Sequence, residues 1–177
     1  MKIHLGCGNK FIPGFVHVDA IPFEHVQHVS SVDNLSFISD NSVDLIYTCH
    51  VLEHFRLKQV PDVLKEWNRV LVSGGTLRLA VPNFASICKL YQETSDLSLC
   101  LGPLYGRQDY LYNFHYTVFD FTSLKTLLVE AGFTNVRSYD WTKTEHAHIF
   151  DYSQAYRPHM DFANGIQMSL NVEADVT

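Results

Sequence analysis

Short apolar runs alternate along this chain with longer amphipathic stretches, and the two have different periods. Runs of strand length fall at 2–5, 15–19, 26–30, 43–49 and 75–81. Before the last of these, Val60, Val63, Leu64, Trp67, Val70 and Leu71 recur at spacings of three and four, while Lys58, Asp62, Lys65, Glu66 and Arg69 take the other face. That pattern predicts a helix over 59–72. Gly74-Gly75 is expected to end it, because glycine enters the left-handed conformation of a helix cap at little cost. Pro82 closes the strand that follows. Further on, 84–94 and 120–131 read as helices, the second stopped by Gly132, with 101–119 as an irregular aromatic stretch between them. Residues 133–141 and 166–174 read as a terminal strand pair. The His- and Tyr-rich excursion over 142–165 separates them, and its length suits a functional loop better than a connector. Strands alternating with crossover helices predict an α/β fold with a doubly wound, mostly parallel sheet and helices on both faces.

Composition narrows this picture. With 177 residues, 46% of them hydrophobic and no Pro/Gly/Ser-rich linker or charge run, the chain reads as a single domain over 1–177. A formal net charge of -6 and a pI near 5.9 provide no basic stripe for phosphates, so a nucleic-acid partner is not expected. Cys7, Cys49, Cys88 and Cys100 form no C-x-x-C pair and read as reduced, mostly buried thiols. Neither a leader-like segment nor an apolar run approaching the roughly 20 residues of a membrane span is present, so a cytoplasmic protein without membrane association is expected.

The candidate chemistry begins at Leu5-Gly6-Cys7-Gly8, directly after the first strand. Glycine there lets a ligand approach bare main chain, and Asp19, ending the next strand, is placed to accept hydrogen bonds from a ribose diol. A dinucleotide-binding G-x-G-x-x-G is disfavoured because Phe11 stands where the third glycine belongs. His50-Val51-Leu52-Glu53-His54 fits the H-x-x-E-H pattern of zinc peptidases, but it abuts a strand and shows no third ligand. The alternative is that Val51 and Leu52 pack inward while His54 satisfies a buried backbone group. His50, at the sheet's carboxyl edge, is a candidate for substrate contact. Tyr105, Arg107, Asp109, Tyr112, Asn113 and His115 are candidates for an acceptor pocket, with a surface loop as the competing reading. His146, His148, Asp151, His159 and Asp161 lack the tight spacing of a metal site, and no metal is expected.

Four ordered blocks then carry a family resemblance: Leu5-Gly6-Cys7-Gly8, the run Asp40 to Tyr47, the run His50 to His54, and the run Glu66 to Gly75. Together they resemble class I S-adenosylmethionine-dependent methyltransferases of the type 11 kind. Later blocks, among them Leu104-Tyr105-Gly106, Asn113-Phe114-His115 and the run Ser169 to Ala174, are similar to a compact bacterial subgroup of predicted methyltransferases. The resemblance implies a Rossmann-like sheet of seven strands, the last antiparallel, with S-adenosyl-L-methionine as cofactor. It implies that Gly6, Cys7 and Gly8 line the methionine half and Asp19 the ribose. Val32, Asp33, Asn34 and Leu35 would line the adenine, while Thr48, Cys49 and His50 face the sulfonium. The chain departs from the pattern at His4, where the superfamily carries an acidic residue, and in the short span from Gly8 to Asp19, broken by Pro13-Gly14, where the first crossover helix must be very short or absent. Residues 101–119 and 142–165 are left as lid or substrate segments.

The functional expectation is methyl transfer to a small-molecule acceptor, such as a hydroxyl of a sugar or another metabolite. Nitrogen acceptors on nucleobases or glutamine amides are disfavoured because Thr48-Cys49-His50 replaces the Asn/Asp-Pro-Pro-aromatic block of those enzymes. Histidine titrates closest to neutrality, so His115 is the leading base candidate and His50 the second. A non-catalytic cofactor-binding or interaction domain and, more remotely, a zinc hydrolase are the alternatives. The oligomeric state is not legible.

Overall fold

The computed structural model describes residues 1–177. Seven strands form one sheet: β1 (Lys2–Leu5), β2 (Val16–Asp19), β3 (His28–Val29), β4 (Val43–Cys49), β5 (Leu71–Pro82), β6 (Phe133–Ser138) and β9 (Ser169–Val176). Their order is β3-β2-β1-β4-β5-β9-β6. Neighbours from β3 to β5 pair in parallel, while β9 runs antiparallel to both β5 and β6. The chain moves outward from β1 to β2 and β3, then crosses to β4 on the other side of β1. Ligands bind at such a reversal, outside the carboxyl ends of the strands. A separate two-stranded ribbon pairs β7 (Tyr156–Arg157) with β8 (Ile166–Gln167).

Alternation along the strands sets the two faces. Ile3, Leu5, Val18, Ile46, Leu77, Leu79 and Val172 enter the main core with Val63, Leu64, Trp67 and Val70 of α1 (Val60–Val70) and Leu124 and Leu128 of α4 (Phe121–Glu130). Asp120 caps α4 through the Ser123 amide at 2.8 Å. Helices on both faces were expected. The opposite face instead packs Leu45 and Tyr47 against Ile12, Phe15 and Ile149, all from irregular chain. No helix lies between β1 and β2, as the short span with Pro13-Gly14 requires.

Two other expectations need correction. Gly74-Gly75 does not cap a helix: α1 ends at Val70, and Leu71 is already extended (φ -72°, ψ 139°) and paired with Val43. The glycines lie inside β5, where the register with β4 jumps from Val43 to Leu45. Gly74 takes φ +79°, and a Cβ on Gly75 would meet Val72 O at 2.8 Å, so they build a bulge in the strand. The stretch 101–119 is not wholly irregular either. It begins within helix α3 (Ser98–Tyr105), which packs on α2 (Phe84–Thr94) despite Gly102 and Pro103.

Candidate active site

The carboxyl ends of β1, β2 and β4 converge on the glycine corner. Gly6 donates to Val18 O at 2.8 Å and takes φ +63°. Its missing Cβ leaves room for Val51, so the turn after β4 seats against the loop after β1. Gly8 takes φ +52°, and the space where its Cβ would stand is open. Asp19 accepts from the Gly8 amide at 2.7 Å and from the Ile21 amide at 2.8 Å, one on each carboxylate oxygen. An ionised carboxylate has about four acceptor positions, so capacity remains for a ribose diol. The open main chain at Gly8 and the spare acceptor capacity of Asp19 fit an adenosyl ligand. Cys7 contributes backbone only: its thiol is 2% exposed, lies 3.7 Å from His25 Nε2, and is pushed up to about 12 by burial and then by Asp19.

The expected adenine segment divides. Leu35 is fully buried in the main core, with its amide on Glu66 Oε1 at 2.8 Å and its carbonyl on Arg69, so its side chain cannot face a ligand. Asp33 and Asn34 are exposed, with Asp33 held by the Ser31 hydroxyl. Val32 is fixed by a hydrogen bond from Trp67 Nε1 to its carbonyl, 2.9 Å.

At the exit of β4, His50 adopts φ +56°, uncommon for a residue with a side chain and costly enough to be found mostly where surroundings enforce it. Its Nε2 lies 3.1 Å from Ser169 Oγ and its Nδ1 3.4 Å from Glu53 Oε1. Burial, with repulsion from His115 and His54, pushes its pKa to about 3. Cys49, beside it, is a neutral thiol, its pKa raised by burial and then by Asp151. Sequence reasoning missed Glu53, which is fully buried with no hydrogen bond to either carboxylate oxygen. Burial raises it to about 8. Only its place inside the H-x-x-E-H run marked it.

His54 does satisfy a backbone group, as expected: its Nδ1 lies 3.0 Å from Phe114 O, while its Nε2 stands 3.2 Å from His50 O, and a neutral ring donates to only one of the two carbonyls. The helical spacing that would pair His50 with His54 does not form, because the run is a single 3-10 turn, Leu52–His54. His115 turns inward. Its Nδ1 lies 2.9 Å from Pro103 O, its Nε2 lies 4.0 Å from Glu53, and its side chain is only 9% exposed.

The remaining acceptor-pocket candidates stay on the outside of the loop. Arg107 pairs with Asp109 at 3.4 Å, and Asn113 Nδ2 donates to Asp109 Oδ1 at 2.5 Å. Tyr105 and Tyr112 are about half exposed. Two tyrosines not singled out in the sequence come closer. Tyr152 packs over His50 with ring centroids 5.2 Å apart, and Tyr110 is near enough to Asp19 and Tyr152 for both to raise its pKa, after burial and Asp109.

A doubly wound sheet of this strand order, with an open glycine corner and an acidic residue ending the second strand, defines the class I methyltransferase fold. The chain matches the profile of a methyltransferase-domain family over residues 13–79. Solved structures of the same fold include a methyltransferase in complex with the Haloferax volcanii Trm112 methyltransferase activator (15% identity, 99% of this chain and 81% of that one, TM-score 0.58). Two others are a SAM-dependent methyltransferase from Archaeoglobus fulgidus (15%, 98% and 85%, TM-score 0.60) and one from Methanosarcina mazei (17%, 99% and 91%, TM-score 0.57). No functionally curated protein matches the sequence. The chain thus matches a methyltransferase-domain family over residues 13–79 and shares, over nearly its whole length, the fold of S-adenosylmethionine-dependent methyltransferases. No helix is long and apolar enough to cross a membrane.

Proposed function

We propose that this protein is an S-adenosylmethionine-dependent methyltransferase acting on a hydroxyl of a small molecule bound where the turn after β4 meets the glycine corner. The observation that carries this reading is His50: a neutral imidazole in a left-handed backbone conformation, beside the corner, with a carboxylate behind one ring nitrogen. When bound, S-adenosylmethionine supplies an electrophilic methyl group on a sulfonium. Gly8 leaves open space for its methionine half, Gly6 seats Val51 and so shapes that corner, and Asp19 accepts from the ribose hydroxyls. Asp33 and Asn34 border the adenine, a role that Leu35 cannot share.

His50 takes the part first assigned to His115. Its Nδ1 faces Glu53 at 3.4 Å without a hydrogen bond, and its Nε2, on exchanging the Ser169 hydroxyl for the acceptor oxygen, receives the proton that this oxygen sheds as it gains the methyl group. An alkylated oxygen is strongly acidic, so a weakly basic imidazole suffices, and alignment of the oxygen with the donor carries most of the rate. Tyr152, packed on the His50 ring, and Tyr110, near Asp19, border the site as half-exposed aromatic walls. Tyr105, Arg107, Asp109, Tyr112 and Asn113 form the outer rim, where a polar acceptor is first met.

Calorimetric titration with S-adenosylmethionine and S-adenosylhomocysteine, followed by methyl-release assays over hydroxylated metabolites, tests this reading. Asp19→Ala should weaken binding of both adenosyl compounds by roughly 10–100-fold, the range for loss of hydrogen bonds to a charged group. His50→Gln should lower turnover by roughly 100-fold or more, as for loss of a positioned base, and leave both affinities nearly unchanged. Equal loss of affinity and turnover in His50→Gln would refute its role.

A further inference from the structure

We infer that Glu53, His54 and His115 form a binding site for a divalent transition-metal cation, zinc being the best match, with a coordination position left for an oxygen ligand. Their ligand atoms all lie within 4.8 Å of one another. Two imidazoles and one carboxylate are a donor set that suits zinc and related borderline cations, and three protein ligands leave the fourth position of a tetrahedral centre open.

The carboxylate of Glu53 supplies the independent observation. It is wholly buried and neither oxygen has a hydrogen-bond donor. The cationic-type groups within 4.0 Å of it are two histidines, His50 and His115, and no lysine or arginine. A bare carboxylate in such a place is costly unless a proton or a cation neutralises it.

The surrounding contacts are those a metal site requires. His115 Nδ1–H donates to Pro103 O and His54 Nδ1–H to Phe114 O, which leaves both Nε2 atoms as lone pairs. In that tautomer the Nε2 lone pair of His54 faces the carbonyl of His50 at 3.2 Å, a repulsion that a cation between them would relieve. His50 Nδ1 stands 3.4 Å from Glu53 Oε1 as an outer partner that orients the carboxylate. The backbone is already fixed: Tyr116 N donates to Glu53 O at 2.8 Å, Thr117 Oγ1 to Phe55 O at 2.7 Å, and His115 N to Tyr105 O at 3.1 Å. The bonds of roughly 2 Å at a zinc centre ask the three side chains to draw in around the ion.

The site stands whether or not the acceptor is a hydroxyl, since metal binding is measured without donor or acceptor. The full chain, stripped with a chelator, is titrated with zinc chloride by calorimetry and with cobalt chloride while the visible d–d absorption is followed. We expect a single equivalent of each metal and a cobalt spectrum of low-symmetry nitrogen and oxygen coordination. Glu53→Gln and His115→Gln should each weaken binding at least roughly 10-fold, since even outer-partner changes cost that much. His25→Gln, in the imidazole cluster on the other sheet face, should leave binding unchanged. Far-UV circular dichroism checks each variant, and His115→Gln, at the root of a loop, decides the matter if Glu53→Gln does not fold. Absence of saturable binding overturns the site, as does binding that survives both substitutions or is lost with His25→Gln.

Discussion

A methyl group added at Gly6 would run into Val51 Cγ2, and the backbone there has a φ that side chains adopt only at a cost of roughly 1–2 kcal/mol. Gly6→Ala should therefore destabilise the protein by about 2–5 kcal/mol, the sum of that strain and of overpacking. Urea denaturation measures it. Gly8→Ala offers the contrast. The space beyond Gly8 is open, so only the backbone term applies, and the added methyl group should register chiefly as weakened cofactor affinity. Asp19 serves both demands at once, holding the Gly8 amide while keeping acceptor capacity for a ligand.

Among the elements, α1 does more than fill the core. Trp67 is fully buried and its Nε1–H meets Val32 O, while Glu66 and Arg69 bind the backbone of Leu35 and Ile38. The helix thereby fixes the segment that carries Asp33 and Asn34. Trp67→Phe should cost about 1–3 kcal/mol, because the Val32 carbonyl is left buried without its donor. Urea denaturation should show that loss, and adenosine-moiety affinity should fall with it. The bulge at Gly74-Gly75 acts on the same strand from its start. It lets β5 follow α1 without a connecting loop and still come into register with β4 by Thr76.

Across the whole molecule, one sheet face rests on helices and the other on a layer of imidazoles. His4 and His17 pack edge to face at 5.6 Å, and His146 lies 4.1 Å from the ring of Tyr47. His17 Nε2 accepts the Ile12 amide at 2.9 Å, which requires a neutral ring. Burial lowers all three pKa values, that of His146 to about 4, with His25, His148 and Arg78 adding repulsion and Glu145 and Asp151 opposing it. The unfolded chain takes up these protons from about pH 6.5 downward, whereas the folded chain does not. Stability is thus complete above that pH and falls as the solution is acidified toward pH 4, by about 3 kcal/mol from His146 alone. Denaturation curves across that window should show the decline, and His146→Phe should flatten it. A flat wild-type profile would contradict neutral burial.

The succession of strands along the chain, the amphipathic face of α1, the glycine turn and the place of Asp19 at a strand end were legible in the sequence because each rests on local rules: period, turn chemistry and the residue that ends a strand. The role of Gly74-Gly75 was not, since a cap and a bulge make the same demand on φ and only pairing with β4 separates them. Leu35 read as ligand-facing until its burial against α1 was seen. His115 read as a pocket base, yet its direction depends on Pro103, and Glu53 gained its importance only when residues distant in sequence left its carboxylate without a donor. Sequence alone determined the fold class and the turn chemistry of the glycine corner. Tertiary structure decided which imidazole lies beneath Tyr152 and which gather around Glu53, because long-range packing, absent from any local pattern, sets where a side chain points and what water it loses.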